Sequence, residues 1–168
     1  LPGMKERSIV INSTSKVFSM TGWRVGYAIT PAALMPYVNK IHQNMSTCAT
    51  SFVQYGAAEA YRSCGEFTRN MVQEFKEHRD IIVDALKQCD KIEFSVPQGA
   101  FYIFPKISAY GLSSREFCNR LLDEAGIAST PGDTFGKAGV GFIRLAYGCS
   151  KAEVIEAMDR FVKFTKTL

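Results

Sequence analysis

The chain has 168 residues, 46% hydrophobic and 12% aromatic, which is enough apolar material for a buried core and excludes a disordered chain. The net charge of +4 is dispersed and no five like charges adjoin, so nucleic-acid and membrane-surface roles gain no support. Five scattered cysteines without a Cys-x-x-Cys pair favour reduced thiols in a cytoplasmic protein over a disulfide framework or a metal site.

The first third of the chain alternates strand-like and loop-like segments. Residues 8–12 form a β-branched run, the composition of a buried strand, and the small polar residues 13–22 predict a loop. Residues 24–30 read as a second strand, which Pro31 closes. From Pro31 the apolar residues recur at helical spacing, and a helix rich in small residues is predicted over 51–62.

The longest predicted helix covers residues 66–88 and carries one apolar stripe opposite a charged face. Its length is typical of a connector between two compact bodies, so we place a domain boundary near Gly65. This predicts one domain over 1–64 and a second, including the helix, over 65–168.

Strand-like and helical segments alternate again after this helix. Strands are predicted over 92–96, 100–104 and 142–147. Ser113 or Ser114 caps a helix that Gly126 ends, and Ser150 caps the last helix. The pattern predicts an α/β protein.

Lys16 lies among small hydroxyl residues in the loop that leaves the first predicted strand, where α/β folds commonly place ligand chemistry. A lysine amine can bond covalently to a carbonyl cofactor. Arg24, eight positions later, suits two oxygens of a phosphate, and the hydroxyls of Ser13 and Ser15 add donors. The alternatives are a solvated lysine and an arginine held in a structural ion pair.

A second candidate, Arg144, is the one charged residue in the otherwise apolar run 141–147. A buried guanidinium without a partner is costly, so this residue needs an anion. The alternatives are a protein carboxylate elsewhere in the chain and an edge strand that exposes the side chain. His42 and His78 fall in helical patterns, and neither is assigned to catalysis or to a metal.

Residues 13–27 resemble the lysine signature of the class I and II aminotransferases, in the pyridoxal-phosphate-dependent aspartate aminotransferase superfamily (fold type I). Six residues stand at that family's spacing: Ser13, Ser15, Lys16, Gly22, Arg24 and Gly26. Residues 97–105 resemble the family's Gly-Ala-Phe-Tyr stretch, whose aromatic side chains we expect in the core. Residues 131–136 resemble a family loop near the substrate.

The resemblance implies that Lys16 forms an aldimine with pyridoxal 5'-phosphate and later moves the substrate proton. It implies that Ser13, Ser15 and Arg24 hold the cofactor's phosphate and that Arg144 binds the substrate α-carboxylate. The implied reaction moves an amino group between an amino acid and a 2-oxo acid. The implied fold is the end of a large cofactor-binding domain, a connecting helix and a small α/β C-terminal domain.

The resemblance covers only the C-terminal portion of a family member. The remaining portion would supply an aspartate for the pyridine nitrogen, an aromatic residue on the ring and a Gly-rich turn on the phosphate. We therefore expect the full-length protein to be a homodimer and this chain alone to be inactive. The alternatives are a lyase, decarboxylase or synthase of the same fold, and a non-catalytic truncated module. The absence of arginine between Lys40 and Tyr61 disfavours one subgroup's recognition of dicarboxylic substrates.

Overall fold

The computed structural model describes all 168 residues and shows the mixed α/β composition that the sequence predicts. The strands are β1 (Val10–Ser13), β2 (Gly26–Ile29), β3 (Tyr102–Ile103), β4 (Thr130–Pro131) and β5 (Ile143–Ala146). The helices are α1 (Met35–Ser46), α2 (Ser51–Ser63), α3 (Gly65–Leu86), α4 (Ser114–Ala125) and α5 (Lys151–Thr165). None of the helices has both the length and the apolar character that crossing a membrane requires.

The chain forms two compact units, an N-terminal unit over Leu1–Met71 and a C-terminal unit over Val72–Leu168. The division falls inside α3, which was predicted as the connecting helix. The assignment of residues 1–64 and 65–168 to two functional domains stays a prediction.

In the N-terminal unit β1 and β2 pair antiparallel, with Ser13 opposite Gly26 and Val10 opposite Ile29. The prediction that the first strand is buried is wrong for this chain, because Val10 is half exposed and Ile11 is 81% exposed. The physical reason is that the ladder has two strands, and no layer of this chain covers their side chains. Apolar residues of α1 and α2 are exposed as well: Tyr37, Ile41, Met45, Phe52 and Tyr55.

Helix α1 begins later than predicted. Residues after Pro31 form a turn, and the helix starts at Met35 with Pro36 in its first turn. Proline is tolerated there because the first N–H groups of a helix have no acceptor within it. The proline that begins this helix is therefore Pro36, and Pro31 only ends the preceding strand.

Gly56 of α2 makes room for the indole of Trp23. A Cβ at this position would lie 2.6 Å from Cζ3 of Trp23, closer than non-bonded carbons approach. Alanine in an open helical position gains about 1 kcal/mol over glycine, but overpacking costs about 1–3 kcal/mol. Because these two effects oppose each other, we expect Gly56→Ala to lower the free energy of unfolding by up to about 2 kcal/mol in urea denaturation. Gly65→Ala is the matched control, since its Cβ meets only the end of Arg69 at 3.5 Å. Equal stability of the two variants would contradict the steric account.

The C-terminal unit contains an antiparallel sheet of order β3-β5-β4, so β5 is the central strand. The core lies between this sheet and the apolar faces of α3, α4 and α5. Its fully buried large side chains include Leu86, Phe117, Leu121, Ile143 and Phe161.

The strand predicted over 92–96 is wrong, and the one predicted over 100–104 is reduced to β3. In the first segment only Glu93 is paired, in an isolated bridge with Lys106. The second begins late because Ala100 has φ 61°, and it ends at Ile103, two residues before Pro105. Proline lacks the N–H that a ladder requires, which limits pairing on this side of the sheet.

The predicted helix caps are confirmed. Ser113 accepts a hydrogen bond from the backbone N–H of Glu116, and Gly126 ends α4 in the left-handed conformation at φ 64°. Ser150 and Glu153 form a complete capping box at the start of α5. These hydrogen bonds from Ser150 lower the pKa of the Glu153 carboxyl.

Removing the α5 cap is expected to destabilise the C-terminal unit. Ser150→Ala should cost about 1 kcal/mol of unfolding free energy, because the N–H of Glu153 loses its acceptor. The pKa of the Glu153 carboxyl is lowered in the folded state, so its ionised form adds to the free energy of unfolding. This stabilisation is present above the pKa of the unfolded state and is lost as pH falls through the pKa of the folded state. Unfolding by urea at neutral pH and near pH 3 checks both statements. Exposed Ser95→Ala is the control, and an equal loss in that variant would count against the cap.

Candidate functional site

Lys16 lies on a single helical turn that directly follows β1. The N–H of Phe18 donates to the carbonyl of Thr14 at 3.1 Å, and Ser13 Oγ accepts from the N–H of Ser15 at 3.1 Å. The side chain of Lys16 itself is exposed. The amine is therefore carried by a backbone with defined hydrogen bonds at the end of a strand.

Two buried or half-buried threonines tether this turn to its surroundings. Thr14 is 1% exposed, and its hydroxyl lies 3.5 Å from the carbonyl of Val25, next to Arg24. Thr68 of α3 donates from its hydroxyl to the carbonyl of Val17 at 3.2 Å. The turn is thus joined both to the segment before β2 and to α3.

Aromatic packing supports the turn from the side of α2. The ring of Phe18 meets the ring of Tyr61 edge-on at a centroid distance of 4.9 Å. The hydroxyls of Tyr61 and Tyr27 lie 2.9 Å apart, and this hydrogen bond raises the pKa of Tyr61. A hydrogen-bonded tyrosine pair therefore links β2 to α2 beside the lysine turn.

Arg24 lies outside the strand in which it was predicted, because β2 begins at Gly26. It follows a 3-10 turn over Thr21–Trp23 and has the left-handed conformation at φ 54°, which is uncommon for a residue with a side chain. Its Nη1 donates to the carbonyl of Thr21 at 2.8 Å. The alternative of a structural ion pair is wrong for this chain, since no carboxylate lies within ion-pair distance of Arg24.

Gly26 allows β1 and β2 to approach each other closely at this end of the ladder. A Cβ on this residue would lie 2.9 Å from the carbonyl oxygen of Asn12 on β1, so the ladder closes only around a glycine. The antiparallel pairing brings Ser13, at the end of β1, opposite Gly26, at the start of β2. The predicted strand–loop–strand connection is therefore present, and the lysine turn and Arg24 both adjoin the same end of the ladder.

Ser13 and Arg24 line one cavity of about 850 Å³, together with residues of β2 and α1. One guanidinium with serine hydroxyls and no competing carboxylate is a donor set that suits a phosphate. The residues of the N-terminal unit thus fit the phosphate end of the predicted cofactor. His42 also lines this cavity, and the chain contains no cluster of three His, Cys, Asp or Glu side chains suited to a metal ion.

Arg144 lies on the central strand β5 of the C-terminal unit, paired across the ladder with Thr130 of β4. Its Nη2 donates to Oγ1 of Thr130 at 3.4 Å, whereas its Nε is buried and has no hydrogen-bond acceptor in the chain. Both alternatives are wrong here, because β5 is not an edge strand and no carboxylate pairs with Arg144. The chain therefore holds a half-buried cation whose charge it does not neutralise.

Two aromatic side chains contact Arg144: Tyr102, which was expected in the core, and Phe135, which lies in the loop that resembles a family loop near the substrate. The guanidinium carbon lies 4.4 Å from the ring centre of Tyr102 and 4.8 Å from that of Phe135. The expectation that the aromatics of 97–105 lie in the core is wrong for Phe104, which is exposed, and for Tyr102, which is half-buried against Arg144. Ile103 between them is buried in the core. Alternation along a strand separates Tyr102 from Ile103, and this signal is present in the sequence.

His78, which received no role from the sequence, is a buried structural residue. It is 1% exposed, and its Nδ1 lies 3.2 Å from the carbonyl oxygen of Tyr147, just after β5. Its Nε2 lies 3.9 Å from a carboxylate oxygen of Glu74. These contacts join α3 to the chain that follows Arg144.

Comparison with known proteins identifies the relatives of this chain. The family profile described as aminotransferase class I and II matches residues 2–161. An aspartate aminotransferase of Pyrococcus horikoshii is 41% identical over 160 residues, covering 94% of this chain and 41% of that protein. An aromatic-amino-acid aminotransferase of Thermococcus litoralis is 38% identical over 168 residues, covering 99% of this chain and 43% of that protein.

A solved structure supports the same family assignment as the sequence comparisons. The crystal structure of an aromatic aminotransferase from Pyrococcus horikoshii superposes with a TM-score of 0.95 at 37% identity, over 99% of this chain and 45% of that one. The chain thus spans less than half the length of the relatives that it matches. The similarity extends through both units.

Proposed function

Because this chain belongs to the class I and II aminotransferases, we propose that it forms part of a pyridoxal-phosphate-dependent enzyme that moves an amino group between an amino acid and a 2-oxo acid. The matched relatives are named as aspartate and aromatic aminotransferases. These names favour transamination over a lyase, decarboxylase or synthase reaction.

In this proposal Lys16 supplies the reactive amine. Pyridoxal phosphate, when bound, supplies an electron sink that makes the Cα–H bond of an amino acid acidic. Nζ of Lys16 would hold the cofactor through its aldehyde carbon, and the same amine would accept and return the Cα proton of the substrate. The hydrogen-bonded turn between Ser13 and Ser19 supports this role, because it holds the lysine backbone at a strand end.

Arg24, Ser13 and Ser15 would hold the phosphate. The cavity shared by Ser13 and Arg24, and the lack of any carboxylate near Arg24, support this assignment. Arginine's planar fork can donate two parallel hydrogen bonds to phosphate oxygens, which fixes orientation as well as charge. The left-handed backbone at Arg24 also supports the assignment, because uncommon backbone conformations cluster at ligand sites.

The single observation that carries the substrate assignment is the uncompensated charge of Arg144. Its Nε is buried without an acceptor, and no carboxylate of the chain is paired with it. An anion from outside the chain would neutralise a half-buried guanidinium that has no carboxylate partner. A carboxylate is the anion that amino acids and 2-oxo acids share. We assign the substrate α-carboxylate to Arg144.

The assembly that performs this reaction is also part of the proposal. The exposed apolar residues of β1, α1 and α2 form a surface of the kind that is covered in a larger assembly. We propose a homodimer of the full-length protein, in a reducing, cytoplasmic environment to which the five free cysteines are suited. The chain alone is expected to be inactive, because it offers a partial pocket.

Reduction of the cofactor-loaded protein with borohydride tests the central assignment. The hydride fixes the bond between lysine and cofactor, and peptide mapping then locates it. We expect a single pyridoxyl-modified peptide containing Lys16, which the Lys5→Arg control variant retains and the Lys16→Arg variant loses. A modification on any other lysine would overturn the assignment.

A further inference from the structure

Two aromatic rings contact the Arg144 guanidinium, and they come from elements on either side of β5. Tyr102 comes from β3 and Phe135 from the 3-10 turn that follows β4, at 4.4 Å and 4.8 Å from the guanidinium carbon. We propose that these two residues, the aromatic clamp, position Arg144 so that it presents one in-plane edge to a carboxylate. The inference rests on the proposed function, since the carboxylate is that of its substrates.

The loop that carries Phe135 is closed by backbone contact without space for side chains. A Cβ on Gly132 would lie 2.3 Å from the carbonyl oxygen of Gly139, and one on Gly139 would lie 2.0 Å from that of Gly132. The N–H of Gly132 also donates to the carbonyl of Phe142 at 2.8 Å. Because the two ends of the loop are joined in this way, the position of Phe135 is set by the backbone.

Two further aromatic rings pack in a row next to Phe135. Its ring meets Phe104 edge-on at 5.8 Å, and Phe104 stacks on Phe142 at 5.4 Å with an interplanar angle of 13°. Phe135 is nevertheless 53% exposed. An exposed ring that the loop and its neighbours hold in place is available to shape the approach to Arg144.

Tyr102 is fixed on the opposite side by the sheet. It pairs across the ladder with Ala146 of β5, and its ring lies 4.5 Å from that of Phe101. With Thr130 contacting Nη2, the guanidinium is constrained by β3, β4 and the Phe135 loop.

These contacts give the clamp a chemical consequence. Aromatic faces attract a cation but offer no hydrogen-bond acceptor in the guanidinium plane, so the N–H donors remain available. A planar carboxylate can pair with two parallel donors only when it is coplanar with them. Holding the donors in place before binding removes an ordering cost, so the clamp should lower KM for both substrates more than it changes kcat.

The test uses the intact, cofactor-loaded enzyme with 15N-labelled arginine side chains. The variants are Phe135→Leu and Tyr102→Ala, with Phe135→Tyr and Tyr102→Phe as conservative partners that keep the ring. Val140→Ala, 65% exposed and in the chain that follows the same loop, is the matched control. The Nε–H signal of Arg144 is identified by its loss in Arg144→Lys, and its exchange with water is measured in the absence of substrate.

We expect Phe135→Leu and Tyr102→Ala to speed exchange of the Arg144 Nε–H and to raise KM for amino acid and 2-oxo acid by about 3- to 30-fold. The conservative variants and Val140→Ala should resemble the wild type in both measurements. Unchanged exchange and unchanged KM in Phe135→Leu and Tyr102→Ala would overturn the clamp. A failure of Arg144→Lys to raise KM would instead refute the carboxylate role of Arg144, and with it the clamp's purpose.

Discussion

Replacement of Lys16 by alanine is expected to lower the rate of transamination by about 10⁴-fold, because one amine acts as nucleophile and proton carrier. The loss should appear in kcat, since neither the phosphate site nor Arg144 is altered. The variant should still bind cofactor, held by Arg24 and the serine hydroxyls, but without a covalent bond. Its fold should persist, because the Lys16 side chain is exposed.

The measurement is single-turnover conversion of an amino acid by the intact enzyme, with and without a small added amine such as methylamine. Partial recovery by methylamine is expected, because a free amine in the vacated space can carry the Cα proton. Lys5→Ala is the matched control, an exposed lysine in the same unit. Activity of Lys16→Ala within tenfold of the wild type would rule out this role for the lysine.

The arrangement of the candidate site in the N-terminal unit could be predicted largely from local sequence. Ser13, Lys16 and Arg24 stand close together in the chain, and one antiparallel ladder brings the ends of their segments together. A short connection between neighbouring strands leaves few geometries, so spacing carries most of the information. The left-handed backbone at Arg24 was not predictable, because it results from the 3-10 turn over Thr21–Trp23.

The surroundings of Arg144 were not predictable in the same way. Thr130, Tyr102 and Phe135 meet it through the β3-β5-β4 order, and residue types alone do not specify strand order or register. The helices α3, α4 and α5 were predicted well because their periodicity and caps are local. The strand predicted over 92–96 was wrong because a residue's preference for a strand depends on a neighbouring strand, which the local sequence does not reveal.

Arg144→Lys is expected to lower kcat/KM by about 10²- to 10³-fold, the effect of losing a two-pronged, charge-assisted pair at a desolvated site. Lysine keeps the positive charge but offers a single point of donation, so it cannot hold a carboxylate in one plane. KM should rise for the amino acid and for the 2-oxo acid alike, because both carry the α-carboxylate. Cofactor attachment to Lys16 should be unchanged.

The decisive measurement compares an amino acid with the corresponding amine that lacks the carboxylate. The wild type should strongly prefer the amino acid, and in Arg144→Lys this preference should fall by the same factor as kcat/KM, because the amine never used the arginine. Arg115→Lys, an exposed arginine on α4, is the matched control and should keep the wild-type preference. A preference that survives in Arg144→Lys would show that another group binds the carboxylate.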